Sequence, residues 1–119
     1  MSGVFQAAGT HLLADLHGIP AGPLQDAAGI EALLRGAAGA AGARILHGHF
    51  HAFGPEQGVT GVLLLAESHI SIHTWPEAGF AAVDIFMCGA ALPQLALEHI
   101  ERALLPRTRQ VRAVARGPA

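Results

Sequence analysis

The 119-residue chain is predicted to fold as an α+β two-layer sandwich, a mainly antiparallel sheet with two helices on one face, in the order β-α-β-β-β-β-α-β. Three observations lead there. Short β-rich stretches are punctuated by Gly/Pro turns. Two longer Ala/Leu-rich stretches carry a helical period. The middle strands follow one another through hairpin-length connections, which favours antiparallel pairing with the helices segregated to one side. The composition is 51% apolar and 13% charged, that of a globular chain rather than a disordered one. The length suits one domain with a modest core, spanning residues 1–119.

Each element has its own signal. "GTHLLADLHGI" has strand length and ends in a Gly–Ile–Pro breaker, so a strand is expected over residues 9–17. "PLQDAAGIEALLRGAAGAAG" places Leu24, Ala27, Ala28, Leu33, Leu34, Ala37 and Ala38 at helical spacing. Pro23 suits its first turn, and Gly39 or Gly42 its exit. "ARILHGHFHAF" is β-rich, and "GPEQG" turns the chain. "VTGVLLLAES" leads on into "HISIHTW", "PEAG" reverses direction, and "FAAVDIFMC" returns. "LPQLALEHIERALL" is a second amphipathic helix, and "RQVRAVARG" a last strand. There is no linker and no tandem repeat.

Several functional classes are disfavoured. No apolar run is long enough to span a membrane. "MSGVFQAAGTHLL" lacks a basic segment ahead of a long apolar stretch, so no signal peptide is expected and the location is expected to be cytoplasmic. A net charge of −2 leaves no footprint for nucleic acid, and the arginines between Arg102 and Arg116 read as a solvated face. Cys88 is the single cysteine, which excludes an intramolecular disulfide and leaves a buried filler or a reactive thiol. There is no lysine at all, so the chain cannot hold pyridoxal phosphate as a lysine imine. Imine chemistry here needs a carbonyl from elsewhere.

Chemistry concentrates in "LLLAESHISIHTWPE", where a strand with an apolar lead-in carries Glu67, Ser68, His69, His73, Trp75 and Glu77. If the "PEAG" turn centres near Ala78, Ser68 lies opposite Cys88, with Cβ atoms about 4.5–5.5 Å apart. His73 is five positions from Ser68, and an odd spacing on a straight strand sends two side chains to opposite faces. Either the strand bends at Ser68, or Ser68 of one subunit meets His73 of another. Trp75 and Phe53 read as core or as a stacking platform for a flat ligand, with Glu77 placed to accept from ligand hydroxyls. "HGHFH" lines His47, His49 and His51 along one strand face, but same-face neighbours are nearly 7 Å apart, awkward for one ion. No metal site is assigned. A conventional serine hydrolase is disfavoured, because there is no G-x-S-x-G and the serine sits in a strand.

"GVTGVLLLAESHISIHTWPE", with "AAVDIFMCG" following, resembles the bacterial and archaeal S-adenosylmethionine decarboxylases, self-cleaving pyruvoyl enzymes. "GTHLLADLHG" and "FHAFGPEQGV" are similar to the family pattern as well, so the likeness runs from Gly9 to about Arg116. The resemblance implies cleavage at Glu67–Ser68 into residues 1–67 and 68–119. Ser68 Oγ attacks the Glu67 carbonyl, the amide becomes an ester, and β-elimination then leaves dehydroalanine, which hydrolyses to ammonia and a pyruvoyl group. It further implies that His73 serves the elimination and that Thr60 assists the ester step near the oxyanion. Cys88 is implied as proton donor to the substrate carbon, Phe53 and Trp75 as the aromatic walls around adenine, and Glu77 as the ribose partner. The keto group takes the place of pyridoxal, consistent with the missing lysine. The product implied is the aminopropyl donor of spermidine synthesis. The family's active site lies between two protomers of a homodimer, which implies that Ser68 and Cys88 of one chain face Phe53, Thr60, His73 and Glu77 of the other.

The chain departs from that pattern in three places. Thr60 stands where serine is usual, the 54–58 loop is a residue longer, and Phe80 stands where tyrosine is common. The alternatives are decarboxylation of a plain amino acid such as ornithine or arginine, and a non-enzymatic α+β binding module.

Overall fold

A computed structural model describes residues 7–118; the start of the N-terminal stretch read above as carrying no leader lies outside the described residues. Six strands form one antiparallel sheet: β1 (Gly9–His17), β2 (Ile45–Ala52), β3 (Val59–Leu65), β4 (Ser68–Trp75), β5 (Phe80–Cys88) and β6 (Thr108–Arg116). Their order across the sheet is β2-β3-β4-β5-β1-β6. Strands β2 to β5 are a meander, as the hairpin connections predict. The first strand, β1, leaves the meander's path and inserts between β5 and the last strand, so the first and last strands lie together at one edge of the sheet.

The helices differ from expectation in one respect. The stretch read as one helix from Pro23 is a single turn, α1 (Ala21–Leu24), and a separate helix α2 (Ala27–Ala41). Asp26 explains the break. Its backbone is extended and its side chain accepts from the Gly29 N–H at 3.0 Å, which caps a new helix start. Gly42 ends α2 in the left-handed conformation (φ 78°), satisfying the last carbonyls from its own N–H. Helix α3 (Pro93–Leu104) begins on a proline and buries Ala96, Leu97, Ile100 and Leu104, one stripe at helical spacing.

Both long helices cover one face of the sheet. Leu12, Ala14, Leu16, Val59, Leu63, Leu65, Ile70, Ile72, Val83, Ile85 and Met87 alternate along the strands and pack beneath Ile30, Leu34, Leu97 and Ile100. Among the described residues, no element covers the opposite face. Seven of the eight histidines, His11, His17, His47, His49, His51, His69 and His73, stand on it, so this open face is polar and aromatic rather than a second core.

One buried polar side chain ties the layers together. Thr74, 5% exposed, accepts from the Val59 N–H at 2.8 Å and donates to the Leu24 carbonyl at 2.7 Å. It joins β4 to the start of β3 and to α1. Gly58 makes room for the strand it joins, since a Cβ there would collide with the Thr74 carbonyl oxygen. Thr74→Val keeps the shape and strands two buried backbone groups. It should destabilise the protein by about 1–3 kcal/mol in urea unfolding.

Candidate active site

Strand β4 positions everything of chemical interest, because it is held from both sides in unbroken register. A two-residue turn, Ala66–Glu67, joins β3 to β4 and pairs Leu65 with Ser68, Leu64 with His69 and Thr60 with His73. A four-residue connection, Pro76–Gly79, pairs Trp75 with Phe80 and His69 with Phe86. Gly79 closes that turn in the left-handed region (φ 60°).

The first cluster lies at the Trp75 end of the open face. Thr60 Oγ1 and His73 Nδ1 are hydrogen-bonded at 3.1 Å, a direct consequence of their cross-strand pairing. Beside them a cleft of about 530 Å³ is lined by Phe53, Trp75 and Glu77, the three residues expected to contact ligand, and by Thr60 and His73, expected to serve processing. Glu56, Gln57, Gly58 and Thr74 also line it and were not assigned a contact. Glu56 stands at the cleft edge in a left-handed turn (φ 60°), within the 54–58 loop that the sequence reading set apart.

The second cluster lies at the other end of β4. Glu67 sits in the tight turn with φ 58°, a left-handed conformation that costs a non-glycine residue about 1 kcal/mol. Ser68 follows as the first residue of β4, and its Oγ accepts from the Cys88 N–H at 3.2 Å. The Glu67–Ser68 bond is thus at a strained strand junction rather than inside a continuous strand. Gly9 lies beside Cys88, where a Cβ would press on the Cys88 Sγ at 2.9 Å, so the glycine leaves space for the thiol. Burial pushes the Cys88 thiol pKa up, and the Glu67 carboxylate adds to the shift, which keeps the sulfur protonated at neutral pH. A smaller cleft of about 320 Å³ opens between Glu67, Phe86, Cys88 and Arg116.

One sequence expectation is corrected by the register. Ser68 is not level with Cys88. The Pro76–Gly79 connection has an even number of residues, so its centre falls between Glu77 and Ala78. Extending the ladder one step past His69–Phe86 puts Ser68 level with Met87. The two residues still touch, but through the Cys88 backbone N–H.

The parity expectation is met. Strand β4 does not bend at Ser68, its pairing with β3 being continuous from Ser68 to His73. Ile70, Ile72 and Thr74 face the core, while His73 and Trp75 face out. Ser68 and His73 of one chain are therefore on opposite faces and about 17 Å apart along the strand. A single chain brings Thr60 to His73 and Ser68 to Cys88, and does not bring the two pairs together.

His47, His49 and His51 share the open face as expected, paired with Leu64, Val62 and Thr60 on the neighbouring strand. Among the described residues no group of three His, Cys, Asp or Glu side chains is arranged to hold a metal ion. A further cluster escaped sequence reading because it is assembled across strands. His11 and His69 both pair with Phe86, and their rings meet edge-on at 5.9 Å. Asp84 Oδ2 lies 3.8 Å from His11 Nε2. Burial lowers the His69 pKa, His11 lowers it further, and Asp84 partly offsets both.

With that geometry in hand, the fold matches a solved structure, the adenosylmethionine decarboxylase from Aquifex aeolicus. The TM-score is 0.86 and the identity 39%, over 96% of this chain and 94% of that one. Residues 10–117 match the family described as S-adenosylmethionine decarboxylase, and the chain belongs to that family. Two relatives named S-adenosylmethionine decarboxylase proenzyme show how close the likeness is. That of Methanococcus maripaludis is 46% identical over 92% of this chain and 89% of its own length. That of Sulfurihydrogenibium is 44% identical over 92% of this chain and 82% of its own.

The depressed His69 pKa has a signed consequence. The unfolded chain takes up a proton near the ordinary imidazole pKa of about 6.5, whereas the folded chain resists it. Protonation therefore favours unfolding, and stability should fall as pH drops below that value. Denaturant midpoints measured between neutral and mildly acidic pH should decline, and His69→Asn should flatten that decline.

Proposed function

We propose that this protein is a self-processing S-adenosylmethionine decarboxylase that breaks its own chain at Glu67–Ser68 and supplies the aminopropyl donor for spermidine synthesis. The observation that carries the reading is the Glu67–Ser68 junction. A serine hydroxyl, already oriented by the Cys88 N–H, follows a glutamate held in a left-handed turn, within a chain of the decarboxylase family. The residues suit a pyruvoyl group derived from Ser68, since the serine directly follows the turn at Glu67 and a cleft opens beside its neighbours Glu67 and Cys88. Once formed, that group supplies the electron-withdrawing carbonyl that a lysine-free chain cannot obtain by binding pyridoxal phosphate.

The remaining roles follow from the chain's own groups. His73, hydrogen-bonded to Thr60, is the base for the Ser68 α-proton, and the Thr60 hydroxyl steadies the oxyanion of the ester step. A cysteine kept as the thiol is suited to give a proton to the substrate carbon after carbon dioxide leaves. The cleft between Phe53 and Trp75, with Glu77 at its edge, receives the adenine and ribose.

These roles require Ser68 to meet His73, which within one chain are about 17 Å apart along β4 and on opposite faces. We therefore assign the working site to two copies of the chain, Ser68 and Cys88 from one and Phe53, Thr60, His73 and Glu77 from the other. The open sheet face, which carries His73, Trp75 and Cys88 and exposes Leu13, Leu64 and Val114, is the surface that suits such pairing, with Ser68 at its margin as the first residue of β4.

Intact mass of the denatured protein should give two fragments, residues 1–67 and a 52-residue remainder blocked by a pyruvoyl. A single uncut chain that also resists hydroxylamine would overturn self-processing in favour of a binding module. Carbon dioxide release should be seen with S-adenosylmethionine; release from ornithine or arginine instead would replace the substrate. Ser68→Ala and His73→Ala should each abolish cleavage alone. Co-expressed, they should restore partial activity, because a mixed dimer has one intact site. No recovery would count against the two-copy site.

A further inference from the structure

Trp75 is the chain's single tryptophan, and a second and third ring stand behind it. On the open face Trp75 pairs with Phe80, and the β1–β5 ladder, running to Leu16–Ala81, brings His17 level with Phe80. The three rings stack nearly parallel. Trp75 and Phe80 have centroids 5.1 Å apart at 20°, and Phe80 and His17 are 4.9 Å apart at 19°. Only Trp75 of the three lines the cleft; Phe80 and His17 lie behind it. The opposite wall is built differently. Phe53 is 57% exposed and is met only edge-on by His51, at 4.7 Å and 75°. One aromatic wall is backed by two stacked rings, and the other stands exposed against one edge-on ring.

We propose that Phe80 and His17 are positioning residues for the nucleoside, holding the Trp75 ring as a preformed platform against which Phe53 closes. The inference rests on the cleft being the nucleoside site and goes beyond it by assigning two residues that touch no ligand. A wall ordered before binding spares the freezing of a large side chain, which otherwise weakens affinity by roughly two- to tenfold. The same stack gives a physical account of phenylalanine at position 80. A tyrosine there would stack equally well, so the ring is required and the hydroxyl is not.

The test uses the processed protein, with cleavage of every variant checked by intact mass. Trp75 emission reports the platform directly, and methylthioadenosine, which carries adenine and ribose but no reactive amine, is the probe. In the parent protein it should quench the emission. Phe80→Ala should red-shift the emission and raise both KM and the probe Kd about three- to tenfold, with kcat within about twofold. Phe80→Tyr should behave as the parent. His17→Ala should shift KM in the same direction by less, and His17→Phe should restore it. A cleaved Phe80→Ala variant that binds like the parent would overturn the brace alone. If Phe80→Ala fails to fold, the His17→Ala and His17→Phe pair decides the matter, and equal binding by both would overturn it. A parent protein that decarboxylates while its emission ignores the probe would instead sink the nucleoside assignment, and the brace with it.

Discussion

The register of β4 between its two neighbours is the constraint on which the rest depends. Two turns set it, Ala66–Glu67 on one side and Pro76–Gly79 on the other. Lengthening either by one residue would flip every side chain of β4 to the opposite face, because strand faces alternate with a period of two. As built, Ile70, Ile72 and Thr74 enter the core and His69, His73 and Trp75 leave it. The Thr60–His73 hydrogen bond, the Trp75–Phe80 stack and the reach of the Cys88 N–H to Ser68 all follow from that one alignment. Thr74 reinforces it from beneath by bonding to both β3 and α1.

The same register divides the chemistry. A flat strand cannot turn residues an odd number apart toward each other, and β4 is uninterrupted from Ser68 to His73. One end of the strand therefore carries a strained junction with a thiol beside it, and the other an aromatic cleft with a hydroxyl–imidazole pair. The open sheet face that separates them is lined by histidines, by Phe80 and Phe86, and by a few exposed aliphatic side chains. In the proposed function that face is where a second copy supplies the missing half. Under that proposal, processing and catalysis would depend on association, since one chain holds Ser68 and His73 apart.

Local electrostatics fit the division of labour. Burial and the Glu67 carboxylate both disfavour a thiolate at Cys88, which suits a proton donor and not a nucleophile. The His11–His69–Asp84 group sits in the middle of the open face and couples imidazoles from β1 and β4 through the Phe86 row. Desolvation is the chief cause of the lowered His69 pKa, with His11 adding to it, so that imidazole resists protonation.

Much of this was legible from the residues alone. Strand alternation, the helical stripes and the Gly/Pro turns are local signals, and they were enough for the α+β class, the element order and the meander. Counting positions was enough to see that Ser68 and His73 of one chain meet only if the strand bends, because parity is a property of spacing; the unbroken β3–β4 ladder then removed the bend. The missing lysine excluded one cofactor chemistry outright. Other features needed the folded chain. Whether Ser68 is level with Cys88 or Met87 turned on whether a loop of four residues closes symmetrically, and side chains opposite a turn carry no local mark of its centre. The break between α1 and α2 turned on Asp26 capping the Gly29 N–H in place of continuing a helix that propensity alone allowed. The insertion of β1 between β5 and β6 decided the rest: it brought His17 behind Phe80 and His11 beside His69, contacts between residues more than fifty positions apart that no periodicity along the sequence can express.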